Sequence, residues 1–273
     1  MESIKQICIT IIFIGTYVLF NFIISIRYDR GQIYVEIVKR RKVLIFAATK
    51  YFGKDVTTST NFLSKCYSTR DLCQITENID DADTANTIIF HSRDFVNVTL
   101  PKWRSSTQVY VLFSQESPAN EKFSSEKGVF NWTMTYHRNS DIWFPYGYFE
   151  KLKEKQDVDL DAIWKMKNHK LPHASCSKDC KPYKFYIAIE NSNCNQYVTE
   201  KFYETLRTRM AISIVLSRKF YQNLGIPDDA YIAIDGFPTL DGFVDRINRI
   251  STDKELYLSY HKWRENYRYF ILV

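Results

Sequence analysis

The stretch KFYIAIENSNCNQYVTEKFYETL, residues 184–206, sets Glu190, Asn191, Ser192, Asn193, Asn195 and Gln196 between an apolar run and an amphipathic one. Val198, Phe202 and Leu206 recur at i, i+4 and i+8, which predicts a helix starting near Tyr197 with one apolar face. Tyr197, Glu200, Lys201 and Glu204 share the neighbouring face. A helix that opens beyond the carboxyl end of a parallel strand turns its free N–H groups and positive dipole into the crevice there, and anions bind at such places. Lys201 supplies charge, Tyr197 an aromatic surface, and Glu190 and Glu200 carboxylates able to hold sugar or ribose hydroxyls. That combination suits a nucleotide-sugar diphosphate. It equally suits a capped helix whose polar residues only satisfy its first turn, and spacing alone goes no further.

The elements that must position this cluster can be read along the chain. VLIFAAT (43–49), NTIIFH (86–91), TQVYVLF (107–113), FYIAIE (185–190), AISIVLS (211–217) and YIAID (231–235) are short apolar runs. Separated by helical patterns, they argue for parallel sheets built from β-α-β units. Glu116 lies just past TQVYVLF, at a strand's carboxyl end. Residues 150–182 are charged, lack a strand-like run and read as a connection between two α/β halves. Within them, DVDLD (157–161), like DDAD (80–83), has an Asp-x-Asp spacing used by metal-dependent transferases, but neither follows a convincing strand, so both read as solvated acids. Thr252-Asp253-Lys254-Glu255 has capping-box spacing and predicts a helix running toward Tyr269, with Tyr260, Trp263 and Tyr267 as packing residues. With 273 residues and a net charge of +6, the chain can bury one large or two modest cores. No zinc-finger spacing or basic aromatic repeat calls for nucleic acid.

The N-terminus reads as a membrane anchor. Ile7 to Ile26 is a run of twenty uncharged positions bracketed by Lys5 and Arg27. As a helix it would span roughly 30 Å, the hydrocarbon thickness of a bilayer. No small-residue cleavage site stands out, which favours an uncleaved signal anchor over residues 1–26 and a polar stem over 27–42. Charge does not set the orientation, because Arg27, Arg30 and KRRK (39–42) outweigh Lys5. Asn97-Val98-Thr99 and Asn131-Trp132-Thr133 are N-glycosylation sequons, which point to a lumenal body. Cys66 with Cys73, and Cys176 with Cys180, are close enough in sequence for local disulfides, with free buried thiols as the alternative; Cys194 has no evident partner.

Taken together, the blocks resemble the inverting α1,3/α1,4-fucosyltransferases. FYIAIENSNCNQYVTEKFYETL is similar to that family's donor-binding signature, with Ile189 where Phe is usual and Gln196 where Asp is usual. CYSTRDLCQIT (66–76), IIFHSRDF (88–95), FSQESPAN (113–120), FNWTMTYHRNSDIWFPYG (130–147) and YLSYHKWRENY (257–267) follow in family order. The resemblance covers roughly residues 43–149 and 183–270 and implies a Golgi single-pass type II membrane enzyme with a lumenal catalytic part. Its fold would be α/β, a GT-B pair of Rossmann-like domains. Residues 43–149 would form the acceptor side and 183–273 an incomplete donor side. GDP-fucose would be the donor, and a GlcNAc hydroxyl of a glycan on glycoprotein or glycolipid the acceptor, joined α1,3 with inversion. Glu116 matches the family's proposed base, while Glu190, Asn191, Tyr197, Glu200 and Lys201 fall at or beside donor-contact positions. No metal or other cofactor is required.

One departure bears on activity. The family usually opens its donor domain with a β-α-β piece carrying an arginine thought to contact the diphosphate. The 34 residues from Glu150 to Tyr183 offer no strand to begin one. The alternative reading is therefore a catalytically impaired or inactive lumenal relative that only binds glycan or nucleotide. Lys178, Lys181 and Lys184 are the nearby residues that could stand in for the arginine.

The topology is directly testable. Expressed in cells, the chain should lose mass on endoglycosidase treatment, and residues 27–273 should resist protease in sealed microsomes; digestion of the body there would refute the lumenal assignment.

Overall fold

A computed structural model describes residues 22–29, 32–39, 42–56, 72–95, 104–121, 123, 128–168 and 183–272. The chain divides into two units: Met1–Val111 with Lys127–Asn131, and Leu112–Glu126 with Trp132–Val273.

In the first unit, β1 (Phe22–Asp29) and β2 (Gln32–Lys39) form an antiparallel hairpin in the register Phe22↔Lys39 to Asp29↔Gln32. This departs from the expected anchor helix at its end, Phe22–Ile26, and gives the polar stem a strand. Phe22–Ile26 is extended and paired, and among the described residues no helix is long and apolar enough to cross a membrane. Residues 7–21 lie outside the described residues. Both β1 and β2 are rich in Ile and Val, residue types enriched in strands.

Strand β3 (Val43–Ala47) runs parallel to β4 (Cys73–Thr76) on one side and β5 (Thr87–His91) on the other. Phe46, Ala82, Ala85, Ile88, Phe90 and Tyr110 make the core of this unit. Parallel strands covered on both faces read as continuous apolar runs, which is why VLIFAAT and NTIIFH are strands as predicted, while the short β4 was not predicted. Asn131, the second sequon residue, is exposed, and its side-chain oxygen accepts from the Tyr110 backbone N–H at 2.8 Å. Asn97 and Cys66 lie outside the described residues, and Cys73 is in no disulfide among them.

The strand β6 (Val109–Ser114) carries the chain from the first unit into the second. There β7 (Trp132–Thr135) runs parallel to β8 (Ile142–Trp143), and β9 (Gly147–Lys151) leads to α1 (Leu160–Lys167). The three-stranded parallel sheet follows in spatial order: β10 (Phe185–Ile187), then α2 (Glu200–Glu204), β11 (Ile212–Val215), α3 (Arg218–Gln222) and β12 (Tyr231–Ala233). α4 (Leu240–Thr252), α5 (Lys254–Ser259), α6 (Trp263–Asn266) and β13 (Tyr267–Ile271) complete it, β13 pairing antiparallel with β9. The architecture is mixed α/β with a parallel sheet, consistent with a Rossmann-like glycosyltransferase fold.

Two expectations change here. The charged connection is not featureless. Ile163 of α1 is buried with Ile212, Ile232, Ile250, Tyr257 and Leu258, and Leu160 and Trp164 pack beside it. The Asp-x-Asp run serves this helix: Asp159 caps it by accepting from the Ala162 N–H at 2.9 Å, and Asp161 pairs with Lys254 at 2.7 Å. The C-terminal helix is also shorter than predicted. Asp253, rather than Thr252, caps α5 through the Leu256 N–H, and the chain ends in a strand instead of helix to Tyr269. Trp263 is buried and Tyr260 and Tyr267 are half-buried in the packing, as expected.

Gly147 anchors the segment that carries the polar cluster. The Tyr203 hydroxyl donates to its carbonyl at 2.6 Å. A β-carbon on Gly147 would lie 2.5 Å from the Phe270 carbonyl oxygen and 2.7 Å from the Tyr203 ring. Gly147→Ala should therefore cost about 1–3 kcal/mol, as overpacking does. A lower denaturation midpoint at an unchanged m-value would show it, and an unchanged midpoint would refute it.

Candidate functional site

All the described candidate residues except Asn131 and Cys73 fall in the second unit, so their geometry can be built from one body. Glu190 follows the end of β10. Its carboxylate accepts the Thr199 backbone N–H at 2.8 Å and the Thr199 hydroxyl at 2.5 Å, with the Lys201 ammonium 3.8 Å away. Burial raises its pKa above the ordinary carboxylate range, while the Thr199 bonds and the Lys201 charge pull the other way. These contacts fold residues 191–198 back as a loop, and Thr199 becomes the N-cap of α2. The helix thus opens at Glu200, later than the spacing predicted, and widens into a π turn over Thr205–Arg209. The predicted apolar face is nonetheless real: Val198, Phe202 and Leu206 are buried.

Gln196 sits in the left-handed region at φ 63°, and its side-chain oxygen accepts from the Arg138 N–H at 2.8 Å. Asp or Asn enters that region more readily than Gln, so the departure from the family signature falls where the backbone is least forgiving. Asn191 and Glu200 are exposed, and Lys201 is partly so.

A shallow, solvent-open cleft lies beyond the carboxyl ends of β10 and β11. Glu190, Ser192, Asn193 and Tyr197 line one side, and Leu216, Ser217, Phe220 and Tyr221 the other. This is where open α/β sheets bind ligands. Asn191, Glu200 and Lys201 are not among its described lining residues. The far wall was missed in the sequence, although the run AISIVLS already placed Leu216 and Ser217 at the carboxyl end of a neighbouring parallel strand. Lys184, by contrast, precedes β10 at the opposite end of the strand. It donates to the Ser251 carbonyl at 2.5 Å and lies over the Trp164 ring, so it does not replace a diphosphate-binding arginine.

Glu116 reaches the same neighbourhood through two tyrosines. Its loop is held by a turn in which the Asn120 N–H donates to the Ser117 carbonyl at 2.9 Å, with Pro118 at the second position. The Tyr146 hydroxyl donates to the Gln115 carbonyl at 2.9 Å, and its ring packs edge-on against Tyr197 with centroids 6.2 Å apart. Burial, then the Glu116 charge, pushes Tyr197 up to about 12, and Tyr146 is raised too, chiefly by burial with Glu200 and Glu116 contributing. One electrostatic neighbourhood therefore contains Glu116, Tyr146, Tyr197, Glu190 and Glu200. Tyr146 and Tyr136, which packs edge-on to Tyr197 at 5.0 Å, were not singled out in the sequence. Cys194 is in no disulfide among the described residues, and Cys176 and Cys180 lie outside them. No group of three or more potential metal ligands occurs among the described residues.

Residues 125–272 match the C-terminal domain of glycosyltransferase family 10 (fucosyltransferase), and residues 39–147 match the fucosyltransferase N-terminal domain. The alpha-(1,3)-fucosyltransferase fut-6 of Caenorhabditis elegans is 38% identical over 285 residues, covering 86% of this chain and 72% of the relative. Its fut-5 counterpart is 33% identical over 277 residues, covering 83% and 73%. A 3-galactosyl-N-acetylglucosaminide 4-alpha-L-fucosyltransferase of Bos taurus is 30% identical over 238 residues, covering 72% and 65%. The mixed α/β fold with its parallel sheet is consistent with that of a glycosyltransferase. The chain belongs to glycosyltransferase family 10, the fucosyltransferases.

Proposed function

We propose that this chain transfers fucose from GDP-fucose to a GlcNAc hydroxyl of a glycan, forming an α1,3 linkage with inversion, as a Golgi type II membrane enzyme. The observation that carries the reading is the convergence of the Glu116 loop and the 190–201 segment, through Tyr146 packed on Tyr197 and Ser117 bonded to Ser192. The Glu116 carboxylate takes the acceptor hydroxyl proton as that oxygen bonds to the fucose anomeric carbon. The bond to the β-linked diphosphate breaks on the opposite face, and GDP departs with the electron pair. Lys201, beside the cleft, faces the charge that develops on the leaving group. Glu190 serves as a brace, because both of its oxygens are engaged by Thr199. Asn191 and Glu200 are free in position to meet donor hydroxyls.

A second reading, reduced activity, is favoured by the alignment itself. The 285 aligned positions with fut-6 exceed what 86% of a 273-residue chain supplies, so roughly fifty of them face gaps in this chain. A segment of that order accommodates a β-α-β unit. Loss of one charged contact to the diphosphate weakens donor binding roughly ten- to a hundredfold.

Glu116→Gln keeps the shape of the side chain but cannot take a proton. It should lower turnover by roughly 10²–10⁴-fold while GDP-fucose affinity measured by calorimetry changes little. Lys201→Ala should instead weaken donor binding. Near-normal turnover by the Gln variant would remove Glu116 from the mechanism.

A further inference from the structure

The geometry points to Ser192 as a positioning residue that ties occupancy of the cleft to the placement of the Glu116 loop. Its hydroxyl oxygen accepts two hydrogen bonds from that loop, from the Ser117 hydroxyl at 2.7 Å and the Asn120 side-chain amide at 3.2 Å. Ser117 and Asn120 lie 75 and 72 residues away in sequence, and Ser117 is fully buried. A buried hydroxyl needs a partner, and Ser192 is the one that Ser117 has. A serine hydroxyl offers two lone pairs and one proton. With both lone pairs engaged by the loop, its proton is left to donate, and Ser192 lines the cleft. A phosphate or sugar oxygen accepting that proton polarises the hydroxyl and strengthens the two bonds it receives. Filling the cleft therefore firms up the loop that presents Glu116. Pro118, between the two latching residues, limits how else the loop can settle.

The inference rests on the proposed donor site, and its test separates the two. Amide hydrogen exchange over residues 115–121 is measured on the full chain and on Ser192→Ala and Ser192→Thr, each with and without GDP. Without GDP, Ser192→Ala should speed exchange in this loop by roughly tenfold, the worth of two ordinary hydrogen bonds, and Ser192→Thr should restore it. GDP should slow loop exchange in the parent and in Ser192→Thr but leave it fast in Ser192→Ala, with GDP affinity changed less than the loop exchange is. In turnover, Ser192→Ala should lower kcat more than it raises the donor KM, a split that simple loss of fold would not give. Equal loop exchange in parent and Ser192→Ala without GDP overturns the latch. Equal protection by GDP in both overturns the coupling. If GDP binds to neither while the loop still responds to Ser192→Ala, the donor-site reading fails, the coupling with it, and the latch alone stands.

Discussion

Glu190 lies just beyond the end of β10 with its carboxylate largely buried at the cleft, and a charge in that position must be met by donors or driven out. Thr199 meets it twice, through its backbone N–H and its hydroxyl, with Lys201 close behind. A hydrogen bond to a charged group contributes about 1.5–3 kcal/mol, so the two offset part of the conformational freedom that the loop gives up. The closure sets where α2 begins, brings Tyr197 inward and leaves Ser192 and Asn193 on the lip of the cleft. Without it the polar run would be a string of solvated side chains.

The rest of the second unit supports that closure from below. The Tyr203 hydroxyl fastens α2 to β9 at Gly147, where the close approach tolerates no side chain. Phe202, Tyr203 and Leu206 share a core with Tyr221, Tyr231 and Trp263, so the helix that carries Lys201 is fixed to the sheet and to the C-terminal segment together. Tyr197 packs edge-on against Tyr146, and Tyr146 bonds to Gln115 beside Glu116. The proposed base and the cleft are thus joined by packed aromatic rings rather than by flexible chain, which suits a reaction that depends on reacting groups being held in register.

Much of this was legible in the sequence, for definite reasons. Parallel strands buried on both faces leave continuous apolar runs, so VLIFAAT, NTIIFH and AISIVLS announced themselves. The Val198, Phe202, Leu206 spacing gave the buried face even though the helix opens only at Glu200. The helix α1 escaped because its buried residues, Leu160, Ile163 and Trp164, are diluted among aspartates and lysines. The hairpin of residues 22–39 escaped because an apolar β-branched run scores equally as a buried helix, and only pairing partners distinguish the two. Glu190 looked like a ligand-binding carboxylate; its hydrogen bonds to Thr199 depend on a loop closure that no local pattern encodes. Tyr146 and Ser117 matter through contacts 31 and 75 residues apart, beyond the reach of any periodicity.

The central claim is that the Glu116 loop and the 190–201 segment carry working transfer chemistry. It is tested most directly by measuring GDP release when the purified chain is incubated with GDP-fucose and an N-acetyllactosamine-type acceptor. The account predicts slow but acceptor-dependent release, saturating at higher GDP-fucose concentrations than complete relatives require. A folded chain that releases no more GDP with acceptor than without it, at any donor concentration, would contradict it.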